Sequence, residues 1–273
     1  MPFVFFSLLF FGSALYGEEQ IQYRLNAPQP IEASFSVSIT QKVEGHEVTS
    51  SLEGGFGATL ELVGKGEVTH SLPTRIALTF ISFQGGCEAA EGHIFYSSLP
   101  KKGEKRGVLS PYERAAASLV GKPLHFKIEI DEMAGSLSFQ DEGELTTLVK
   151  QNPFIAEICP KEMLEALLQQ VLAPAFKRNE QWQRLAATIT VPVTYQWKTE
   201  QEGLTAKVES DLASARLLLS KPLTGRFSGS GRWNPSNGLD FQSEREVDYT
   251  AQLEGGRNHA LSVTANWLIR SVQ

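Results

Sequence analysis

The chain has 273 residues, with 31 acidic and 25 basic side chains, a formal net charge of −6 and 41% hydrophobic residues. That apolar share supports a packed core and excludes wholesale disorder, and an acidic chain of pI ≈ 5.5 lacks the basic face of a general nucleic-acid binder. Two cysteines are too few for a disulfide-dense scaffold or a cysteine-rich zinc module.

The chain opens on an uncharged apolar run. Five of the 16 phenylalanines lie within the first eleven residues, and no charge appears before Glu18. Gly12, Ser13, Ala14 and Gly17 follow, and then Glu18-Glu19-Gln20. An apolar stretch, small residues and then polarity is the order of a secretory signal peptide, here residues 1–17. Cleavage falls after Gly17 or after Ala14, and the alternatives are retention as an anchor or a buried first strand. At about 16 residues the run is short for a spanning helix, which needs roughly 20, and no later segment approaches that length. The expected location is extracytoplasmic, periplasmic or secreted. Residues 18–273 read as one β-rich domain, or as two β-rich halves, 18–157 and 183–273, joined by a central helical segment.

Ile31, Ala33, Phe35, Val37 and Ile39 alternate with polar residues, which predicts a half-buried strand. Glu44-Gly45-His46 is a turn, and Val48 starts the return strand. Glycines 54, 55, 57, 64 and 66 predict kinks or bulges in a curved sheet. Ile76, Leu78 and Phe80 form a further strand ending near Gly85-Gly86. Ser110-Pro111-Tyr112-Glu113 matches a capping box with proline at the first helical position, so a short helix runs to about Val120. Leu124, Phe126, Ile128 and Ile130 alternate again, and a hairpin near Gly135 leads back through Leu137 and Phe139.

The principal helix is expected over about 160–173. Met163, Leu164, Leu167, Leu168, Val171 and Leu172 form its apolar stripe, with Lys161, Glu162, Glu165, Gln169 and Gln170 on the opposite face and Pro174 ending it. Strands then dominate. Ile189 to Trp197 alternate around Pro192, which marks an edge or bulged strand. A three-strand antiparallel meander closes the chain, with a hairpin loop at Asn234–Gly238 and a second turn at Gly255-Gly256. The fold class is therefore all-β to α+β: long, curved, mainly antiparallel sheet with one principal amphipathic helix and a short one.

No catalytic constellation is legible. His46, His70, His93, His125 and His259 are dispersed, with no His-Glu-x-x-His spacing, so no metal ligands are assigned. Ser228-Gly229-Ser230-Gly231 lacks the spacing and the strand-to-helix setting of a nucleophile elbow. No glycine-rich phosphate loop is present, and no cofactor is implied. The acids at Asp131-Glu132 and Asp141-Glu142-Glu144 fall at hairpin ends, where solvated carboxylates are ordinary. Lys101 to Arg106 form a basic loop, read as solvated. Cys87 and Cys159 are either two unpaired buried thiols or, in an exported protein, a disulfide worth about 4 kcal/mol in the chain-entropy model.

The order of elements resembles an exported bacterial family, that of the domain of unknown function 6263 type. The residues that carry the likeness are His93-Ile94-Phe95-Tyr96-Ser97-Ser98, the turn Leu119-Val120-Gly121-Lys122-Pro123-Leu124-His125-Phe126, and the hairpin at Gly135. A helical stretch to about Trp182 and a β-rich C-terminal half complete the pattern, over residues 30–270. The resemblance implies an extracytoplasmic β-rich protein and transfers no site residues. A more distant likeness, of architecture alone, is to periplasmic lipoprotein carriers, where a curved antiparallel sheet wraps an amphipathic helix. Three functions follow as expectations: an exported, non-enzymatic envelope or secreted protein; a carrier of a lipid or other apolar ligand; or a hydrolase of dispersed residues. In the second, the stripe Met163, Leu164, Leu167, Leu168, Val171 and Leu172 either lines the ligand site or is simple core. Partners are then a lipid or another envelope protein, with no nucleic acid and no transmembrane segment once the signal is removed.

Overall fold

Side-chain alternation decides the architecture. In β1 (Gln29–Val43), Ile31, Ala33 and Phe35 are buried while Glu32, Ser34 and Ser36 are exposed. The same period runs through β12 (Asn237–Gln252), where every second residue from Leu239 to Ala251 is buried. Both strands therefore have one face for a core and one for water. The computed structural model describes residues 21, 23–64, 73–89, 92–99, 108–131, 136–176, 181–186, 189–200, 203–214, 216–217, 223–252 and 260–272. The segment 1–17, the basic loop 101–106, and the turns at Gly135 and Gly255-Gly256 lie outside them.

The other strands are β2 (His46–Val63), β3 (Arg75–Ala89), β4 (Gly92–Ser97), β5 (Pro123–Asp131), β6 (Ser136–Asp141), β7 (Gln181–Ala186) and β8 (Ile189–Glu200). They continue as β9 (Gly203–Ser210), β10 (Arg216–Leu217), β11 (Thr224–Asn234) and β13 (Ala260–Ser271). Helices are α1 (Pro111–Leu119), α2 (Glu144–Gln151), α3 (Phe154–Ile158) and α4 (Lys161–Phe176). The sheet order is β10-β8-β7-β6-β5-β3-β2-β1-β13-β12-β11-β9, with β4 beside β3, and β9 pairs again with β8. The curved sheet thus turns back on itself. It is nearly open between β6 and β7, which share one parallel residue pair, Ser136 with Trp182. The N- and C-terminal parts belong to one sheet, because β1 pairs with β13 from Ile31↔Ser271 to Lys42↔Ala260.

Helix α4 lies inside this curve, touching β6 and β7 on one side and β12 and β13 on another. Every residue from Met163 to Leu172 is buried. The expected solvent face is corrected accordingly: Glu165, Gln169 and Gln170 are buried as well. They tolerate it through polar contacts. Gln169 Nε2 donates to the Leu137 carbonyl at 2.9 Å, Gln170 Nε2 to the Ala166 carbonyl at 3.1 Å, and Lys161 pairs with Glu165 at 3.2 Å. The helix runs on through Pro174 to Phe176, so the proline does not end it as expected.

Local signals behaved as their chemistry requires. Ser110 and Glu113 form the reciprocal capping box at 3.1 and 2.8 Å. Glu44 (φ 51) and Gly45 (φ 89) give the β1–β2 hairpin the left-handed backbone that matches strand twist. Pro192 sits where the lateral neighbour of β8 changes from β10 to β9, so its missing N–H costs no ladder bond. Three boundaries differ from expectation. β3 runs past Gly85-Gly86 to Ala89 because β4 pairs with residues 84–89. Trp182 belongs to β7 rather than to a helical stretch. The β11–β12 hairpin turns at Pro235-Ser236, where Asn234 Oδ1 accepts from the Ser236 N–H at 2.9 Å, and Asn237-Gly238 already belongs to β12.

Candidate functional site

The outward positions of β1, β2 and β3 carry unusually small groups: Ser34, Ser36, Gly55, Gly57 and Ser82. Strand approach requires this. A Cβ on Gly55 would stand 2.7 Å from the Ala33 carbonyl oxygen, and the Gly57 N–H donates to Ser82 Oγ at 3.1 Å beside the Gly57/Ala58 bulge. These residues floor a recess of about 1270 Å³. One rim holds the exposed ion pair of Arg270 Nη2 with Glu32 Oε2 at 2.7 Å. The other rim is apolar. Phe95 of β4 is 73% exposed and Val108, before α1, is 97% exposed, with Leu99 and Leu109 beside them. Seven large hydrophobic side chains are exposed among the described residues, and four of them border this recess.

The inward face carries a second arrangement. One cross-strand row runs Tyr96, Gly85, Gly54, Phe35, Trp267, Arg245, Gly229, Val208 and Tyr195, from β4 to β8. Glycines stand where bulky neighbours lean across: a Cβ on Gly85 would come within 2.7 Å of Tyr96 Oη, and one on Gly229 within 2.7 Å of Arg245 Cδ. Arg245 is buried, as are Ser243 beside it and Tyr195, whose ring centroid lies 5.7 Å from its guanidinium carbon. Sequence reading passed over Ser243 and Arg245. The signal was their parity, which matches that of Phe241, Val247 and Tyr249.

The six stripe residues Met163, Leu164, Leu167, Leu168, Val171 and Leu172 all lie in the packed core, with none of them lining the 1270 Å³ recess. Cys87 and Cys159 are both free and buried. Burial foremost holds the Tyr96 hydroxyl in its protonated form, with Cys87 and Cys159 among the groups that would raise its pKa further. Burial, then Glu157 and Glu88, pushes the Cys87 thiol up, and burial does the same at Cys159.

The remaining polar candidates separate. His125 Nδ1 meets Glu144 Oε1 at 2.9 Å and His93 Nδ1 meets Glu88 Oε1 at 3.0 Å, on different strands, while His70 and His259 lie outside the described residues. Asp141 is not a loose solvated acid: its carboxylate accepts from the backbone of Leu145 (3.2 Å) and Thr146 (2.9 Å), capping α2. Burial alone would raise its pKa, but bonds from Thr146, Gly143 and Leu145 hold it below the usual carboxylate value. Ser230 Oγ donates to Glu244 at 2.8 Å from within a strand, so it forms no nucleophile elbow. Among the described residues, no three His, Cys, Asp or Glu side chains gather as metal ligands, and no helix is long and apolar enough to cross a membrane.

No family model and no curated protein matches the chain. Among solved structures, one titled for lipid–protein interactions in lipovitellin is 11% identical over 90% of this chain, with a TM-score of 0.38. This chain spans 25% of that lipovitellin chain. The Pseudomonas aeruginosa OccK2 (OpdF) in complex with glucuronate is 9% identical, covering 92% of this chain and 100% of its own, with a TM-score of 0.19. Likeness at that level fixes neither a fold nor a function.

Proposed function

We propose that the protein is an extracytoplasmic binding protein for a lipid or other apolar ligand, which it takes at the recess between β1–β4 and α1. The observation that carries this reading is the clustering of Phe95, Leu99, Val108 and Leu109 around one concavity. Contiguous exposed apolar surface is costly in water and marks binding sites. The space beneath the sheet favours the outer face too, because α4 and its apolar stripe fill it. The apolar opening of residues 1–17 supports export, and an exported protein is placed to meet envelope lipid.

The test is titration with N-phenyl-1-naphthylamine, an uncharged apolar fluorophore, followed by displacement with extracted lipid. Wild-type protein is expected to bind saturably. Phe95→Ser combined with Val108→Ser should weaken binding about 100-fold, from roughly 1.5 kcal/mol per lost side-chain contact. Both side chains are exposed, so the fold is unaffected. Equal binding by the double variant would sink the recess as the site. Recovery of the native protein from the cytoplasmic fraction alone would sink export.

A further inference from the structure

Arg245 is a permanent cation placed on the inward face of β12, and it is only 2% exposed. Its Nη1 is fully engaged, donating to the Ser230 carbonyl (3.0 Å), Ser243 Oγ (2.9 Å) and the Glu244 carbonyl (2.7 Å). All three partners are neutral. Its Nε and Nη2 are buried without a hydrogen-bond partner. Those two nitrogens form one edge of the guanidinium plane, the side-on fork that matches the two oxygens of a carboxylate. A buried charge left without a counter-charge costs several kcal/mol, so a native chain that keeps one calls for an explanation.

The surroundings specify the partner's chemistry. Trp267 stands directly across from Arg245 in the β12–β13 register, and its indole Nε1 is also buried without a partner. On the other side lie Tyr195, stacked on Trp197 at 5.3 Å, and Trp233, 5.5 Å from Trp197. The indole nitrogens of Trp197 and Trp233 are likewise unpartnered. The orphan groups are thus almost all donors, set among aromatic rings. The neighbouring carboxylates do not answer them: Glu244 has the opposite, exposed parity and accepts from Ser230 Oγ at 2.8 Å. On the inner face Trp197 is only partly buried, so solvent reaches the aromatic cluster from there, while the recess of about 760 Å³ at these positions lies on the outward face, among Ser228, Ser230, Glu244 and Glu246.

We infer that Arg245 anchors a binding site for an organic carboxylate, gripped side-on by Nε–H and Nη2–H, with the acid's apolar body against the Tyr195, Trp197 and Trp267 rings. This site stands apart from the Phe95–Val108 recess and does not depend on it.

Isothermal titration of the full chain with 1-naphthaleneacetate, its neutral isostere 1-naphthaleneacetamide, and acetate tests the assignment. Naphthaleneacetate is expected to bind saturably, at least ~10-fold more tightly than either of the others. Arg245→Lys keeps the charge but loses the fork, and Arg245→Met loses both; each should weaken naphthaleneacetate at least ~10-fold while leaving the amide unchanged. The Phe95→Ser, Val108→Ser double variant should bind naphthaleneacetate as wild type does, which separates this site from the apolar recess. Failure of naphthaleneacetate to bind, equal binding of acid and amide, or wild-type binding by Arg245→Lys would each overturn the inference. The acid–amide comparison needs only wild-type protein, so it decides the matter even where a variant fails to fold.

Discussion

Gln169 and Leu137 meet in the core. The side-chain amide of α4 donates to the strand carbonyl of β6 at 2.9 Å, beside the seam where β6 and β7 share a single residue pair. A polar side chain thus serves a backbone group next to the thinnest part of the sheet. Gln169→Leu keeps the volume and leaves that carbonyl unpaired. Urea unfolding should show a loss of about 1–3 kcal/mol relative to wild type. An unchanged midpoint would mean that the bond contributes nothing to the seam.

Two glycines of the sheet should respond differently to alanine. A Cβ on Gly229 would lie 2.4 Å from the Glu244 carbonyl oxygen as well as against Arg245, and backbone cannot yield cheaply. On Gly57 it would meet Ser82 Oγ alone, at 3.1 Å, a light group that can turn aside at the loss of the one hydrogen bond it accepts from the Gly57 N–H. Gly229→Ala is expected to destabilise by roughly 2–3 kcal/mol and Gly57→Ala to stay within about 1 kcal/mol. Thermal melts of the two variants side by side check the order.

Asp141 ties stability to pH. Its carboxylate is held low in the folded protein, by the Thr146, Gly143 and Leu145 bonds that outweigh burial. A group of this kind stabilises the fold above its unfolded value, near about 4, and loses that contribution as pH falls through the folded value. Asp141→Asn should therefore be less stable than wild type at neutral pH, with the gap narrowing in acid. Urea midpoints at neutral pH and at about pH 3 report it. A gap that widens in acid would contradict the capping role.

The thiols of Cys87 and Cys159 are buried, and burial holds both in the unreactive protonated form. In reduced native protein, neither should react promptly with a disulfide reagent at neutral pH, and both should react once the chain is unfolded. Protein purified without reductant and then unfolded reports the pairing: a bridged pair is two hydrogens lighter and shows no thiol, whereas two thiols would exclude the bridge.

Much of the fold was legible because its signals are local. The alternation in Ile31–Ile39 and Leu124–Ile130, the Ser110–Glu113 box and the Glu44-Gly45 turn each depend on neighbours within a few residues. The helix α4 was found by its apolar spacing, yet its environment was misread. Periodicity reports where apolar residues lie and says nothing of what covers the polar ones. Glu165, Gln169 and Gln170 look like a wet face until the sheet is seen to close around them.

The candidate sites show the same division. Sequence alone determined a β-dominated, mainly antiparallel chain with a central helix, since period-two and helical spacing follow from backbone geometry. Only the tertiary structure decided that Phe95 and Val108 border one recess with Ser34 and Ser36, and that Arg245 faces inward between Trp267 and Gly229. The strands that build the Phe95–Val108 recess come from opposite ends of the chain, as in the pairing of Glu32 with Arg270. Which strands become neighbours is settled by the cooperative burial of the whole inner face, and no short window of sequence contains that.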